Sequence, residues 1–241
     1  KHSRVFRWIL HACLSLNSRT VVVSEQMQQN LRQQFPRYAA RIAFIPNGVT
    51  IRDIDVSKRF RTPVRLITIS NLIASKRVDI LLHALVAPRA SSGLILRIIG
   101  DGPERRRLET LTLALGISDR VEFVGQVPPA EIQKNLDWAD IFVFASESEG
   151  RPNVILEAMA AGLPIVAADI PGTRELLLDS GTLVRPGDTD EFSRAIDSYI
   201  DDPAKAISVG RQAKQSIVKR SLSWEHTSAC YGALYRDLAQ K

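Results

Sequence analysis

The chain has 241 residues, 45% hydrophobic and 24% charged, with 32 Lys and Arg against 26 Asp and Glu for a formal net charge of +6. That balance excludes a disordered or low-complexity chain and allows one large α/β domain, or one and a half small ones, with a sizeable core. Cys13 and Cys230 are too few and too far apart for a disulfide framework, so a reducing, cytoplasmic setting is expected. His2, His11, His83 and His226 show no metal-ligand spacing, and no apolar run is long enough to span a membrane.

Taken in order, Val5–Leu16 is apolar enough for an amphipathic or buried helix, and Thr20–Val23 reads as a strand. Ser24 is placed to cap a helix from Glu25 to Phe35, and Ile42–Ile45 is a second short strand. Lys1, Arg4, Arg7 and His11 interleave with Val5, Phe6, Trp8 and Ile9. The pattern fits an ordinary domain helix, with a basic helix on an anionic membrane surface as the alternative. Nucleic acid is not an expected partner, because aromatics are 6% of the chain and no nucleic-acid-binding signature is present.

Residues 50–63 are polar, without apolar periodicity, as in a linker. Val64–Ile69 alternates and is β-branched, which suits the first strand of a new domain, and the loop from Ser70 to Arg77 leads into a helix over Val78–Ala87. Leu94–Ile99 is the next strand, turned by Gly100-Asp101-Gly102-Pro103 into a helix over Glu104–Leu115, and Val121–Val124 is the strand after that. A lone Gly-x-Gly is weak evidence of phosphate binding. Beyond the central block, Thr182–Val184 is a short strand, Asp188–Asp201 a helix, Pro203 restarts a helix, and Trp224–Ala239 is a last helix whose Trp224, Tyr231 and Tyr235 suit packing.

The central block, Ala139 to Asp169, carries the chemistry. Ala139–Phe144 suits a strand buried on both faces, and Val154–Ala161 suits a helix packed on the sheet, stopped by Gly162 before a strand opened by Pro164. In open α/β sheets ligands sit beyond the carboxyl ends of the strands, where Ser146–Asn153 lies. Gly150 permits close backbone approach, Pro152 fixes φ at the helix start, and the free amides after it form an anion site suited to phosphate. Glu149 and Glu157, each alone, fit solvated charges. Together, beside a phosphate site, they fit acceptors for vicinal hydroxyls, and a phosphate flanked by diols describes a nucleotide sugar.

These residues resemble the Glu-x7-Glu donor motif of family 4 retaining glycosyltransferases, which have the GT-B fold of two facing Rossmann-like domains. The resemblance extends through Ile45-Pro46-Asn47-Gly48-Val49, Ser70-Asn71-Leu72 with Lys76, Gly100–Pro103, Phe123-Val124-Gly125 and Pro171-Gly172-Thr173-Arg174-Glu175. It implies an α/β chain with a Rossmann-like parallel sheet flanked by helices, the C-terminal half of a GT-B fold, and a partial second Rossmann-like domain. Residues 1–48 would be the end of an N-terminal acceptor-side domain with more chain upstream. Residues 49–63 would be the hinge, 64–220 the nucleotide-sugar domain, and 221–241 a helix crossing back.

By the same resemblance the reaction moves a sugar from a nucleotide diphosphate donor to an acceptor hydroxyl with retention, in polysaccharide or glycolipid synthesis. The acceptor would be a sugar, a lipid-linked glycan or a small molecule, and no metal or other cofactor is expected. The implied catalytic residues are Glu149, toward the transferred sugar, and Lys76, on the diphosphate. The implied donor-binding set adds Asn71, Val127, Gly150, Arg151, Pro152, Asn153, Val154 and Glu157, the last on the ribose. Ser70 and Asn71 stand where the family has Gly and Arg, which leaves Arg77 or Arg151 to strengthen the diphosphate clamp. The family's glycine-rich loop and sugar-facing histidine are not in these residues. A non-catalytic nucleotide-sugar module and a GT-B nucleotide-sugar epimerase remain as alternatives.

Overall fold

The computed structural model describes residues 4–51, 60, 62–86 and 93–240. Among them the chain runs through α1 (Arg4–Leu16), β1 (Thr20–Val22), α2 (Glu25–Gln34), β2 (Ile42–Phe44), β3 (Val64–Ile69), α3 (Val78–Ala84), β4 (Leu94–Ile99), α4 (Arg105–Ala114) and β5 (Val121–Gly125). It continues through α5 (Pro129–Trp138), β6 (Ile141–Phe144), α6 (Asn153–Ala160), β7 (Ile165–Ala168), α7 (Pro171–Leu177), β8 (Thr182–Val184), α8 (Thr189–Asp201), α9 (Pro203–Lys219) and α10 (Trp224–Ala239). Most of the linker segment expected over 50–63 lies outside the described residues, as does Ala87 at the end of the helix expected from Val78. The chain forms two compact units, Lys1–Gly48 with Ser221–Lys241, and Val49–Arg220.

In the smaller unit β1 and β2 pair in parallel from Thr20↔Ile42 to Val22↔Phe44. Ser24 caps α2, its Oγ accepting from Met27 N at 3.3 Å. Leu14, Val22, Phe35, Tyr38 and Ile42 make its core. The residues that seat α10 are not the aromatic ones the sequence suggests, since Trp224 and Tyr235 are 49% and 65% exposed. Gly48 and Thr227 do it instead. A Cβ on Gly48 would stand 2.3 Å from the carbonyl carbon of Ser223, and Thr227 Oγ1 donates to Pro46 O at 2.9 Å.

The larger unit is built on a six-stranded sheet, every adjacent pair parallel, in the order β5-β4-β3-β6-β7-β8. Parallel strands need crossovers, and these cover both faces with helices, so the strands must be apolar on both sides. Ile141, Phe142, Val143 and Phe144 of β6 and Ile165 to Ala168 of β7 are accordingly buried without alternation. On one face α3 packs on α4 and α8, and on the other α6 packs on α5, α7 and α9. From β3 the chain winds outward through β4 to β5, then returns to the opposite side of β3 at β6. That reversal leaves a crevice beyond the carboxyl ends of β3 and β6.

Sequence reading missed α5, where Ile132, Leu136 and Trp138 are the only large apolar side chains behind a Pro-Pro start. It also placed Asp140 within the strand, whereas β6 begins at Ile141. Asp140 is fully buried at the amino end of the sheet. Its carboxylate accepts from the backbone N of Phe60 and of Arg65, each at 2.9 Å, and from Arg65 Nε and Nη2 at 3.2 Å. The guanidinium lies over the Trp138 ring at 5.5 Å, and that of Arg97 at 3.8 Å. Removing one member of such a pair leaves an uncompensated charge and two orphaned amides. Asp140→Ala is expected to lower unfolding free energy by about 3–5 kcal/mol, read by denaturant titration. An unchanged midpoint would refute this role.

Candidate functional site

The loops that follow β3, β4 and β5 are zipped together by backbone hydrogen bonds. Ser70 N donates to Ile99 O at 3.0 Å, Leu72 N to Asp101 O at 2.9 Å, Gly100 N to Gly125 O at 2.8 Å and Glu104 N to Leu72 O at 3.0 Å. So close an approach needs glycine at position 100, where φ is +124° and a Cβ would lie 1.9 Å from Ser70 O.

Across the reversal, the carbonyl of Ser75 ties the β3 loop to the β6 loop. It accepts from Glu147 N at 2.9 Å and from the buried Ser146 Oγ at 3.3 Å. The β6 loop is held from behind by α7. Gly172 sits so close that a Cβ there would be 2.8 Å from Glu149 O, and Arg151, its side chain 1% exposed, donates from Nη1 to Glu175 Oε1 at 2.8 Å. Arg220 in turn donates to the Leu176 and Glu175 carbonyls at 2.7 and 2.8 Å, capping the end of α7.

These loops enclose a cleft of about 440 Å³. Asn71, Lys76, Val127, Glu149, Arg151, Pro152, Asn153 and Val154 all line it, together with the strand ends Ile69, Ile99 and Phe144. Gly150 and Glu157 are not among the lining residues. Ile132, which also lines the cleft, escaped sequence reading because its helix did; its spacing of four from Leu136 was the available signal. Ser70, Gly100 and Gln126 complete the wall.

The cleft's charges are committed. Lys76, in the turn Ala74–Lys76, pairs through Nζ with Glu149 Oε1. Arg77, with φ at 47°, is engaged by Asp79 and by Glu147 and does not line the cleft, and Arg151 is paired with Glu175. The expectation that Arg77 or Arg151 replaces the missing Arg of the clamp thus meets two guanidiniums already held by carboxylates. At the start of α6, Pro152 offers no side-chain acceptor, so Asn153 and Val154 bring the positive end of the helix dipole to the cleft. Among the described residues no group of three or more His, Cys, Asp or Glu could hold a metal ion.

Glu157 lies one turn along α6 from Asn153, half-buried, and burial holds its carboxyl above the usual range. The folded chain therefore binds this proton more tightly than the unfolded one, and stability falls as pH rises out of the ordinary carboxylate range, levelling off above the raised value. Glu157→Gln is expected to be more stable than the parent at neutral pH and to lose this slope, checked by thermal unfolding between about pH 4 and 7.

Fold and cleft together define a doubly wound α/β domain with an open cleft at its switch point. Residues 50–216 match the family model described as Glycosyl transferases group 1, and the chain belongs to that family. It is 34% identical over 204 residues to an exopolysaccharide phosphotransferase, SCO2592, of Streptomyces coelicolor, covering 81% of this chain and 21% of that protein. It is 31% identical over 192 residues to the GDP-mannose-dependent alpha-(1-6)-phosphatidylinositol monomannoside mannosyltransferase of Mycolicibacterium smegmatis, covering 71% and 50%. The chain thus spans between a fifth and a half of the length of these two relatives.

Among solved structures, it resembles sucrose-phosphate synthase of Thermosynechococcus elongatus with a TM-score of 0.84 and 25% identity, over all of this chain and 63% of that one. It also resembles HepE of Anabaena, solved with UDP, with a TM-score of 0.79 and 22% identity, over all of this chain and 69% of that one. The architecture is that of the GT-B glycosyltransferases.

Proposed function

We propose that this chain is the donor-binding part of a family 4 retaining glycosyltransferase, which moves a sugar from a nucleotide diphosphate to an acceptor hydroxyl in polysaccharide or glycolipid synthesis. The observation that carries this is the cleft at the switch point, which brings Lys76, the α6 amino end and Glu149 together although they are scattered over more than seventy residues of sequence. A diphosphate seated there meets the Lys76 ammonium and the Asn153–Val154 end of α6, a charge and a dipole placed where the leaving group develops its charge. In this reading no divalent cation is required, because ammonium and helix dipole supply the positive potential. Glu149 accepts hydroxyls of the transferred sugar. Glu157, half-buried and at present without the cleft on its side chain, reaches the ribose only if the bound nucleotide extends along α6.

Support comes from family membership, from the mannosyltransferase relative, and from a fold shared with proteins solved with UDP. The phosphotransferase name belongs to a protein of which the match covers 21%, and it lends that chemistry no support here.

The test is calorimetric titration of the chain with UDP, GDP and ADP. One nucleotide is expected to bind, and Lys76→Ala to weaken it about tenfold or more, as for loss of a charge-assisted hydrogen bond. Nucleotide binding indifferent to Lys76 would overturn the assignment. Donor binding without transfer by the native protein on any acceptor would favour the non-catalytic module, and a product epimerised on the nucleotide would favour an epimerase.

A membrane-bound acceptor has a second feature in its favour. On α1, Trp8 and Ile9 are 74% and 48% exposed beside Arg7 and His11. Co-sedimentation with vesicles rich in phosphatidylserine, lost on Trp8→Ser with Ile9→Ser, is the expected outcome if α1 rests on an anionic surface.

A further inference from the structure

Lys76 and Glu149 are both named above as ligands of one donor, yet they hold each other. Their side chains are 18% and 17% exposed, and both line the cleft. The other cation on the cleft wall, Arg151, is bound to Glu175. The Lys76 ammonium has three donors, so a phosphate can reach it beside Glu149, but the two anions then repel each other and divide one positive charge; a phosphate that takes the full charge of Lys76 displaces the Glu149 carboxylate from it. An ionised carboxylate can only accept hydrogen bonds, so once displaced it needs donors, and it repels a phosphate that stays beside it.

We propose that the Lys76–Glu149 ion pair is an exchange switch that favours the sugar-bearing nucleotide over the bare nucleoside diphosphate, an inference that rests on the donor-site reading above. With a nucleotide sugar, the phosphate takes Lys76 while the sugar hydroxyls donate to Glu149, so both halves of the broken pair are satisfied. With the bare diphosphate, Lys76 is satisfied and Glu149 is left with an anion at its side. The sugar thus supplies what binding takes away. After transfer the same logic reverses: the sugar has gone, Glu149 returns to Lys76, and the leaving nucleotide is displaced by a group already present in the cleft.

The pair lies at the junction of two loops that are otherwise fixed. Ser75 O anchors Glu147 N and Ser146 Oγ, and Gly172 and Arg151 hold the far side of the Glu149 loop. The exchange therefore needs only side-chain rotation at Lys76 and Glu149, and both backbone segments keep their partners.

The test is a double-mutant cycle on the full chain, titrating whichever of UDP, GDP and ADP binds the parent and the corresponding nucleotide sugars, UDP-glucose, GDP-mannose or ADP-glucose. Glu149→Gln is expected to tighten the bare diphosphate about tenfold and to weaken the nucleotide sugar, reversing the parent's preference. Glu149→Ala is expected to tighten the bare diphosphate likewise. In the Lys76→Ala background, Glu149→Gln is expected to lose most of that gain, because there is no pair left to break.

A gain that persists in full without Lys76 would show simple charge repulsion and overturn the exchange. So would an unchanged or weaker diphosphate affinity in folded Glu149→Gln and Glu149→Ala. If no nucleotide binds the parent, the donor-site reading itself falls and takes the exchange with it. If the parent binds one and loses it on Lys76→Ala while Glu149→Gln brings no gain, the donor site stands and the exchange alone fails.

Discussion

The reversal of winding at β3 is the constraint on which the rest of the larger unit depends. A parallel sheet cannot be closed by hairpins, and a chain that builds outward in one direction and then in the other must leave two neighbouring strands whose following loops diverge. Here those strands are β3 and β6, and the gap between their loops is bridged at the backbone by the Ser75 carbonyl and beside it by the Lys76–Glu149 and Arg77–Glu147 ion pairs. The bridge keeps the crevice from widening without filling it. Everything polar that lines the cleft is hung from loops fixed by that bridge, by the glycine approach at position 100, or by the α7 contacts at Gly172 and Arg151.

Much of the fold could be read from local pattern, because buried parallel strands announce themselves as apolar runs and their helices as capped, periodic segments. Val64–Ile69 and Leu94–Ile99 coincide with the observed strands, Thr182–Val184 likewise, and Ser24 caps the helix it precedes, whereas Asp188, read as the first residue of a helix, is its cap. Helix α5 escaped because its buried stripe is narrow, with Leu136 its one fully buried residue. The cleft was readable in part for a different reason: the Ser146–Asn153 loop advertises itself by composition, Gly and Pro beside a carboxylate, whereas its apolar wall from β3, β4 and α5 carries no such mark.

What sequence could not supply was pairing between distant charges. Lys76 and Glu149 are 73 positions apart, and Asp140 lies 75 from Arg65 and 80 from Phe60. Nothing in spacing or periodicity says that either pair meets; only the sheet order does. The same holds for Arg77 and Arg151, which read as spare cations for an anion and prove to be ties between loops and helices. In sequence a basic residue near a phosphate site looks like a ligand, and in three dimensions it is as often the peg that holds the ligand's loop.

The two ends of the sheet have divided their duties. At the amino ends a fully buried Asp140 gathers backbone amides and Arg65 into a closed knot, while at the carboxyl ends the strands open into the cleft. Residues that share no partners perturb a protein independently. A lineage carrying this architecture can therefore rebuild the loops at its mouth without renegotiating the buried knot at its foundation.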